Sequence, residues 1–275
     1  METRADLHIH STASDGALTP TQVVESAADL GLAAIAITDH DTVAGIDEAL
    51  AAGERLGVEV VPGVEISTVH DRAEAHILGY FMDHHQAAFV ERLDVLRNAR
   101  WERGKQIVEQ LNAAGVPIDF ERVAELADGG AVGRPHVARA ICEIGVVHSM
   151  DSAFGKYLVE GCPGFVPRYK VTPFEAMTMI VDAGGVPCCG HVAKLKDDEL
   201  VRQMITAGLR AVEVYHPDHG PASVRFYTKF AEKHGLIATG GSDAHGFPGS
   251  AGTAIGSVSV PYEVVGQLRN EAGGR

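Results

Sequence analysis

Short apolar runs of strand character recur along the chain, separated by segments of helical pattern, and a histidine or carboxylate stands in or just after most of them. The first four are ADLHIH (5–10), LAAIAIT (32–38), VEVVPGVEIS (58–67) and EAHILGYF (74–81), with Pro62-Gly63 expected to break the third. Between the first two, Thr19 reads as an N-cap, with Pro20 at the first helical position and Gln22 three residues after the cap. That predicts a helix over 20–30 closed by Gly31, and a second is expected over about 45–56, closed by Gly57. Strands that alternate with helices belong to a mostly parallel sheet covered by those helices, so the rhythm confines the chain to the α/β class.

The rhythm breaks near residue 84. Residues 85–114 read as one long amphipathic helix, with Phe89, Leu93, Leu96, Ile107, Val108 and Leu111 at broadly helical spacing and Gly115 as its end. Residues 119–160 read as short helices with glycine-rich joints. The alternation resumes after Pro173: helix 173–183, strand 186–190, helix 197–207, strand 210–215, helix 221–234, strand 236–241, a last strand over 255–260 and a short terminal helix. About seven strands outside the interruption favour a barrel over an open sheet. The expected organisation is a barrel domain over 1–81 and 166–275, with a helical insertion, or lid, over 82–165.

The candidate ligands fall at strand ends, where barrel active sites gather. His8 and His10 are two apart on the first strand, and a period of two puts both on one face. Asp243 and His245 repeat the spacing after LIATGG. Asp39-His40-Asp41 follows the second strand, Glu65 the third and His191 the run VPCCG; His76 lies in the fourth strand and Asp15 in the first loop. Imidazole and carboxylate together suit zinc, manganese and iron. A carboxylate such as Glu65 can bridge two ions, and metal pairs about 3.5–4 Å apart clamp phosphoryl groups in hydrolysis. His70, His84, His85, His148 and His234 fit no such position and are expected on the surface or in loops. The glycine-rich pieces match neither GxGxxG nor a P-loop, and Ser242 is not in GxSxG.

Charge bears on what such a site can bind. The formal net charge is −14, yet the chain carries 14 histidines. An exterior this acidic repels nucleic acid and anionic membranes, so an anionic substrate needs a local reversal of the field, which bound cations supply. No apolar run approaches the ~18 residues of a membrane span. The start METRADLHIH lacks the pattern of an export signal, and Cys142, Cys162, Cys188 and Cys189 form no CxxC pair, so a cytoplasmic location with reduced thiols is expected.

Taken together, DLHIHSTASDG, AITDHDT, GVEIS, HILGY, GH and GSDAH resemble the ordered signatures of the polymerase-and-histidinol-phosphatase (PHP) superfamily, over about residues 5–81 and 173–260. GRPHVARA and FVPRYK in the insertion resemble the bacterial branch that acts on nucleoside 3′,5′-bisphosphates and on the 5′ ends of short RNA. The resemblance implies a distorted seven-stranded (β/α)7 barrel. It implies that His8, His10, Glu65 and Asp243 hold one metal, that Glu65 bridges to a second held with His76 and His191, and that Asp15, His40 and His245 hold a third. The family often has His where this chain has Asp15, and usually has Pro where Val192 follows His191.

The expectation is therefore a metal-dependent phosphoesterase carrying two or three divalent ions (manganese, iron or zinc), cleaving phosphomonoesters of small nucleotides or short oligoribonucleotide 5′ ends by metal-activated hydroxide. Neither a membrane partner nor a stable complex with long nucleic acid is expected. Arg134 and His136 of GRPH, Lys156, and Arg168 with Lys170 are the sparse cations expected to meet the uncleaved phosphate; the alternative is surface ion pairing. His219 is a weaker candidate for that task or for a general acid, and His216 weaker still. The competing readings are a histidinol-phosphate phosphatase, a metal-binding regulatory module without catalysis and a proofreading partner of a polymerase.

Overall fold

A computed structural model of the chain describes residues 3–71, 73–127, 130, 132–167, 169, 171–247 and 254–274. The chain divides into two compact units, Met1–Arg92 with Lys170–Arg275, and Leu93–Tyr169. The first unit opens with β1 (Arg4–Ile9), α1 (Pro20–Asp29), β2 (Ala34–Ile37), α2 (Ile46–Leu56), β3 (Glu59–His70) and β4 (Ala73–Tyr80). The long helix α3 (Ala87–Ala113) leads into the second unit, which adds α4 (Phe120–Leu126), α5 (Arg134–Glu143), α6 (Met150–Ala153) and a π-helical turn over Phe154–Leu158. The first unit then resumes with α7 (Pro173–Asp182), β5 (Val186–Cys189), α8 (Val192–Leu195), α9 (Asp198–Thr206), β6 (Ala211–Tyr215), α10 (Pro221–His234), β7 (Ile237–Gly240), β8 (Val260–Pro261) and α11 (Glu263–Gly273).

Helix ends follow local chemistry. The Thr19 hydroxyl accepts from the Gln22 amide while the Gln22 side chain accepts from the Thr19 amide, a reciprocal cap on α1. Thr172 and Glu175 do the same for α7. Gly57 closes α2 at φ 72°, a conformation that costs a residue without a Cβ little.

The strands form one sheet in the order β7-β6-β5-β4-β3-β2-β1-β8. It curls into a barrel that nearly closes: Ile9 at the end of β1 bridges Ala244, just beyond β7, and the His10 amide donates to the Ala244 carbonyl at 2.9 Å. The barrel fold expected from the sequence is present, with three corrections. β3 and β4 form an antiparallel hairpin and β4 also runs antiparallel to β5, so the fold is not a uniform β/α repeat. Pro62-Gly63 does not break β3. Pro62 is the last residue of β3 to pair with β2, where a missing N–H costs little, and Gly63 lets the chain pass the Ile37 carbonyl, 2.6 Å from where a Cβ would stand. The last strand is Val260–Pro261 rather than 255–260, an eighth short strand antiparallel to the start of β1.

Period-two alternation sorts the barrel into layers. Ala5, Leu7, Ala34, Ala36, Val61, Leu78, Tyr80, Val186, Cys188 and Ala211 pack together inside, with Val264, Val265 and Leu268 of α11. Ile35, Ile37, Val58 and Val60 face the other way, onto Val23, Val24 and Ala27 of α1 and Ala49 and Ala52 of α2. The second unit has its own core, built from Ile107, Val108 and Leu111 of α3 with Val123, Val137, Ala138 and Ile141.

Candidate metal centre

On β2, β3 and β4 the inward parity carries straight from the apolar interior to a ligand candidate. Ala36 leads through Thr38 to His40, and Val61 through Gly63 to Glu65; along β4, Tyr80 and Leu78 are followed by His76. On β1 strict alternation would turn His8 away from Leu7, yet Leu7 packs inside, Ile9 packs under α1, and His8 and His10 face the centre. The register of β1 against β2 shifts between Asp6 and Ile9, and this irregularity re-aims His8 inward. Gly241 supplies the room: a Cβ there would stand 2.4 Å from the His8 Cβ. Two further ligand candidates sit on positive φ, His191 at 27° and Asp243 at 50°, strain of the kind that clusters at functional sites.

Three groups of potential ligand atoms at this end of the barrel each lie within 4.8 Å of one another: His10, Asp15, His40 and His245; His8, His10 and Asp243; His40, Glu65 and His76. Glu65 is divided between neighbours. Its Oε2 lies 3.4 Å from His8 Nε2, 3.3 Å from His10 Nε2 and 3.0 Å from His40 Nδ1. Its Oε1 lies 2.5 Å from His76 Nδ1 and 3.2 Å from His191 Nε2. Asp243 Oδ1 lies 3.0 Å from His10 Nε2 and 3.4 Å from His8 Nε2. Asp15 reaches His245 Nε2 at 3.5 Å, His10 Nδ1 at 3.8 Å and His40 Nε2 at 3.9 Å.

The residues fit divalent cations on two counts. His8 Nε2, His10 Nδ1 and His40 Nδ1 are buried ring nitrogens that face carboxylates at 3.0–3.8 Å yet make no well-aligned hydrogen bond among the described residues, an arrangement that costs free energy unless something else engages them. Among the described residues, the barrel unit also buries Asp6, Asp15, Asp39, Asp41, Glu65 and Glu213 with neither Lys nor Arg. So many buried carboxylates, met by imidazoles and hydrogen-bond donors rather than by Lys or Arg, suit cationic partners. Burial works against the charged form of Glu65, but His40, His76 and His8 outweigh it and hold the carboxyl well below its usual range. Asp243 is likewise held well below its usual range, against burial, by His8, His10 and His216. Burial and the neighbouring His10 keep His245 below its usual value, which favours the neutral imidazole a metal requires.

Residues outside the expected ligand set hold the site in place: Glu213, which sequence reasoning missed, His216, which it gave only as a weak candidate for phosphate or a general acid, and Asp39 and Asp41, which it placed at the strand end beside His40. Glu213 points inward from β6, fully buried; its Oε1 accepts from His8 Nδ1 at 2.9 Å and its Oε2 from the His191 amide at 2.5 Å. The first contact leaves His8 Nε2 facing the centre; the second pins the strained His191 backbone. His216 Nε2 meets Asp243 Oδ2 at 3.2 Å. Asp39 accepts from the Ser11 amide and from the Ser11 and Ser14 hydroxyls, and Asp41 from the Ser67 amide. A lone carboxylate inside the valine-rich strand AVEVY was the signal for Glu213.

The expected phosphate-binding residues are placed unevenly. Arg134 opens α5 with its guanidinium 6.0 Å from the centre of the Phe154 ring; His136 Nδ1 accepts from the Gly133 amide at 3.0 Å; Lys156 lies in the π-helical turn. Arg168 and Lys170 lie outside the described residues. His219 is corrected: Nδ1 donates to the Val214 carbonyl at 2.8 Å and Nε2 accepts from the Ala193 amide at 3.3 Å, so both nitrogens tie β6 to α8 and neither is left for phosphate. Among the described residues no helix is long and apolar enough to cross a membrane.

The PHP domain profile matches residues 6–115. The 3′,5′-nucleoside bisphosphate phosphatase of Chromobacterium violaceum is 36% identical over 257 residues, 91% of this chain and 90% of that protein. The 5′-3′ exoribonuclease Rnm of Escherichia coli is 36% identical over 247 residues, 87% of this chain and 84% of its own. A solved structure from Bifidobacterium adolescentis, assigned as a metal-dependent phosphoesterase, superposes with a TM-score of 0.90 at 31% identity, covering 97% of this chain and 96% of that one.

Proposed function

Since the chain belongs to the PHP family and is a metal-dependent phosphoesterase, we propose that it cleaves phosphomonoesters of small nucleotides, nucleoside 3′,5′-bisphosphates foremost, and also acts on the 5′ ends of short oligoribonucleotides. The observation that carries this reading is Glu65, whose two oxygens face two different histidine groups in a barrel end with no buried Lys or Arg among its described residues. Likeness to the bisphosphate phosphatase along nine-tenths of both chains supports the substrate class.

In this reading His8, His10, Glu65 and Asp243 hold one ion, Glu65 with His76 and His191 a second, and Asp15, His40 and His245 a third. Manganese, iron and zinc all suit the donor set. Divalent ions so held acidify water and neutralise phosphate oxygens. The protein's own part is orientation. Glu213 presents His8 Nε2, His216 steadies Asp243, and the serines around Asp39 fix the loop that carries Asp15. Arg134 and His136, then Lys156, Arg168 and Lys170, remain the proposed phosphate-recognising residues on chemical grounds, Arg134 first, because a guanidinium meets phosphate in bidentate fashion.

A substrate panel tests the proposal. Adenosine 3′,5′-bisphosphate, a 5′-phosphorylated short RNA and histidinol phosphate are compared by phosphate or nucleotide release. The bisphosphate is expected to exceed histidinol phosphate in kcat/KM by at least about tenfold, ~1.4 kcal/mol in the barrier. Faster turnover of histidinol phosphate overturns the substrate assignment.

A further inference from the structure

Away from the barrel mouth, a second set of ligand atoms converges on the surface of the barrel unit. Asp47 lies in the first turn of α2, and His84 and His85 lie in the segment between β4 and α3. His84 Nε2 and His85 Nε2 stand 3.0 Å and 3.2 Å from the same Asp47 oxygen, and the two rings are 4.2 Å apart. One ligand atom from each of the three residues lies within 4.8 Å of the other two. The oxygen-to-nitrogen spacings are close to a tetrahedral ligand edge, roughly 3.3–3.4 Å for metal–ligand bonds of about 2.0–2.1 Å.

Both ligand-bearing segments are fixed independently of this contact. Glu48, next to Asp47, accepts from the Thr21 amide and hydroxyl at 3.0 Å and 2.7 Å, which ties the first turn of α2 to α1. On the other side the Asp83 amide donates to the Ala183 carbonyl, the His85 amide donates to the Asp83 carboxylate, and the Gln86 side chain donates to the Asp182 carbonyl. Little ordering is then left for a ligand to impose. His84 is nearly covered, whereas Asp47 and His85 are 67% exposed, which leaves coordination positions open to water.

We infer that Asp47, His84 and His85 form a surface site for a borderline divalent transition cation, with zinc as the type case, separate from the catalytic centre. Two imidazoles and one carboxylate suit zinc, cobalt, nickel or copper better than magnesium or calcium, which favour all-oxygen sets. The bound ion would clip α2 to the segment that follows β4.

The test is zinc stoichiometry at saturation, measured on full-length protein by equilibrium dialysis and elemental analysis. Wild type is compared with His85→Ala and Asp47→Asn, both at exposed positions. The inference expects one zinc fewer per chain in each variant, or zinc binding at that step weakened at least tenfold, with phosphoesterase activity unchanged and a smaller zinc-dependent rise in Tm. A zinc count and a zinc affinity both equal to wild type overturn it. Loss of activity together with more than one zinc also overturns it, because the residues would then act on the catalytic centre. The count does not depend on which substrate the enzyme turns over, so this inference and the substrate assignment fail separately.

Discussion

Glu65 and Glu213 are both buried carboxylates that touch His8 and His191, and they do different work. Glu65 offers one oxygen to His8, His10 and His40 and the other to His76 and His191, the posture of a bridging ligand. Glu213 touches the opposite nitrogen of His8 and the His191 amide, the posture of a positioning residue. In Glu213→Gln one of those two N–H donors would face an amide NH2. Metal affinity should fall about 10–100-fold, with much of kcat restored at saturating metal. A metal titration of activity checks this; a half-saturation point equal to that of wild type contradicts it. The ligand candidates were legible from the chain because they recur at strand ends with a spacing of two, as His8 with His10 and Asp243 with His245. Glu213 was not singled out because a single charge between Val212 and Val214 looks like any strand residue until its inward parity is known.

At the scale of elements, Asp6 fastens the seam of the barrel. Its Oδ1 accepts from the amides of Ser242 at 2.9 Å and His8 at 3.4 Å, and its Oδ2 accepts from the Gly256 amide at 2.8 Å. β1 is thereby joined to the segments on either side of residues 248–253. Burial pushes the Asp6 carboxyl up to about 6, against those hydrogen bonds. At neutral pH Asp6→Asn would set an amide NH2 against one of the N–H donors and leave it unpaired, a loss of roughly 1–3 kcal/mol. Urea unfolding of the metal-loaded protein measures it, and an unchanged midpoint contradicts the seam role. Helices with side-chain caps were readable to within a residue or two, as Thr19 with Gln22 shows. The β3–β4 hairpin was not read from the sequence, although its connection from His70 to Ala73 is far too short for the dozen or more residues a parallel crossover needs. The two-residue β8 lies below what any periodicity can reveal.

For the molecule as a whole, acidity and phosphate chemistry are reconciled inside the barrel. The net charge of −14 continues into the interior, where six carboxylates are buried without Lys or Arg among the described residues of that unit. Neutral imidazoles add no further negative charge, so two or three divalent ions would bring on the order of +4 to +6 to the site. The most direct test is the rate of phosphate release from adenosine 3′,5′-bisphosphate by chelator-stripped protein titrated with manganese, wild type beside His8→Ala. Stripped wild type should be slower by at least about a thousandfold, ~4 kcal/mol in the barrier, and should recover on adding manganese, whereas His8→Ala should not recover at the same concentrations. Stripped protein that turns over at the metal-loaded rate, or a His8→Ala variant that recovers like wild type, would contradict a metal centre built on these residues.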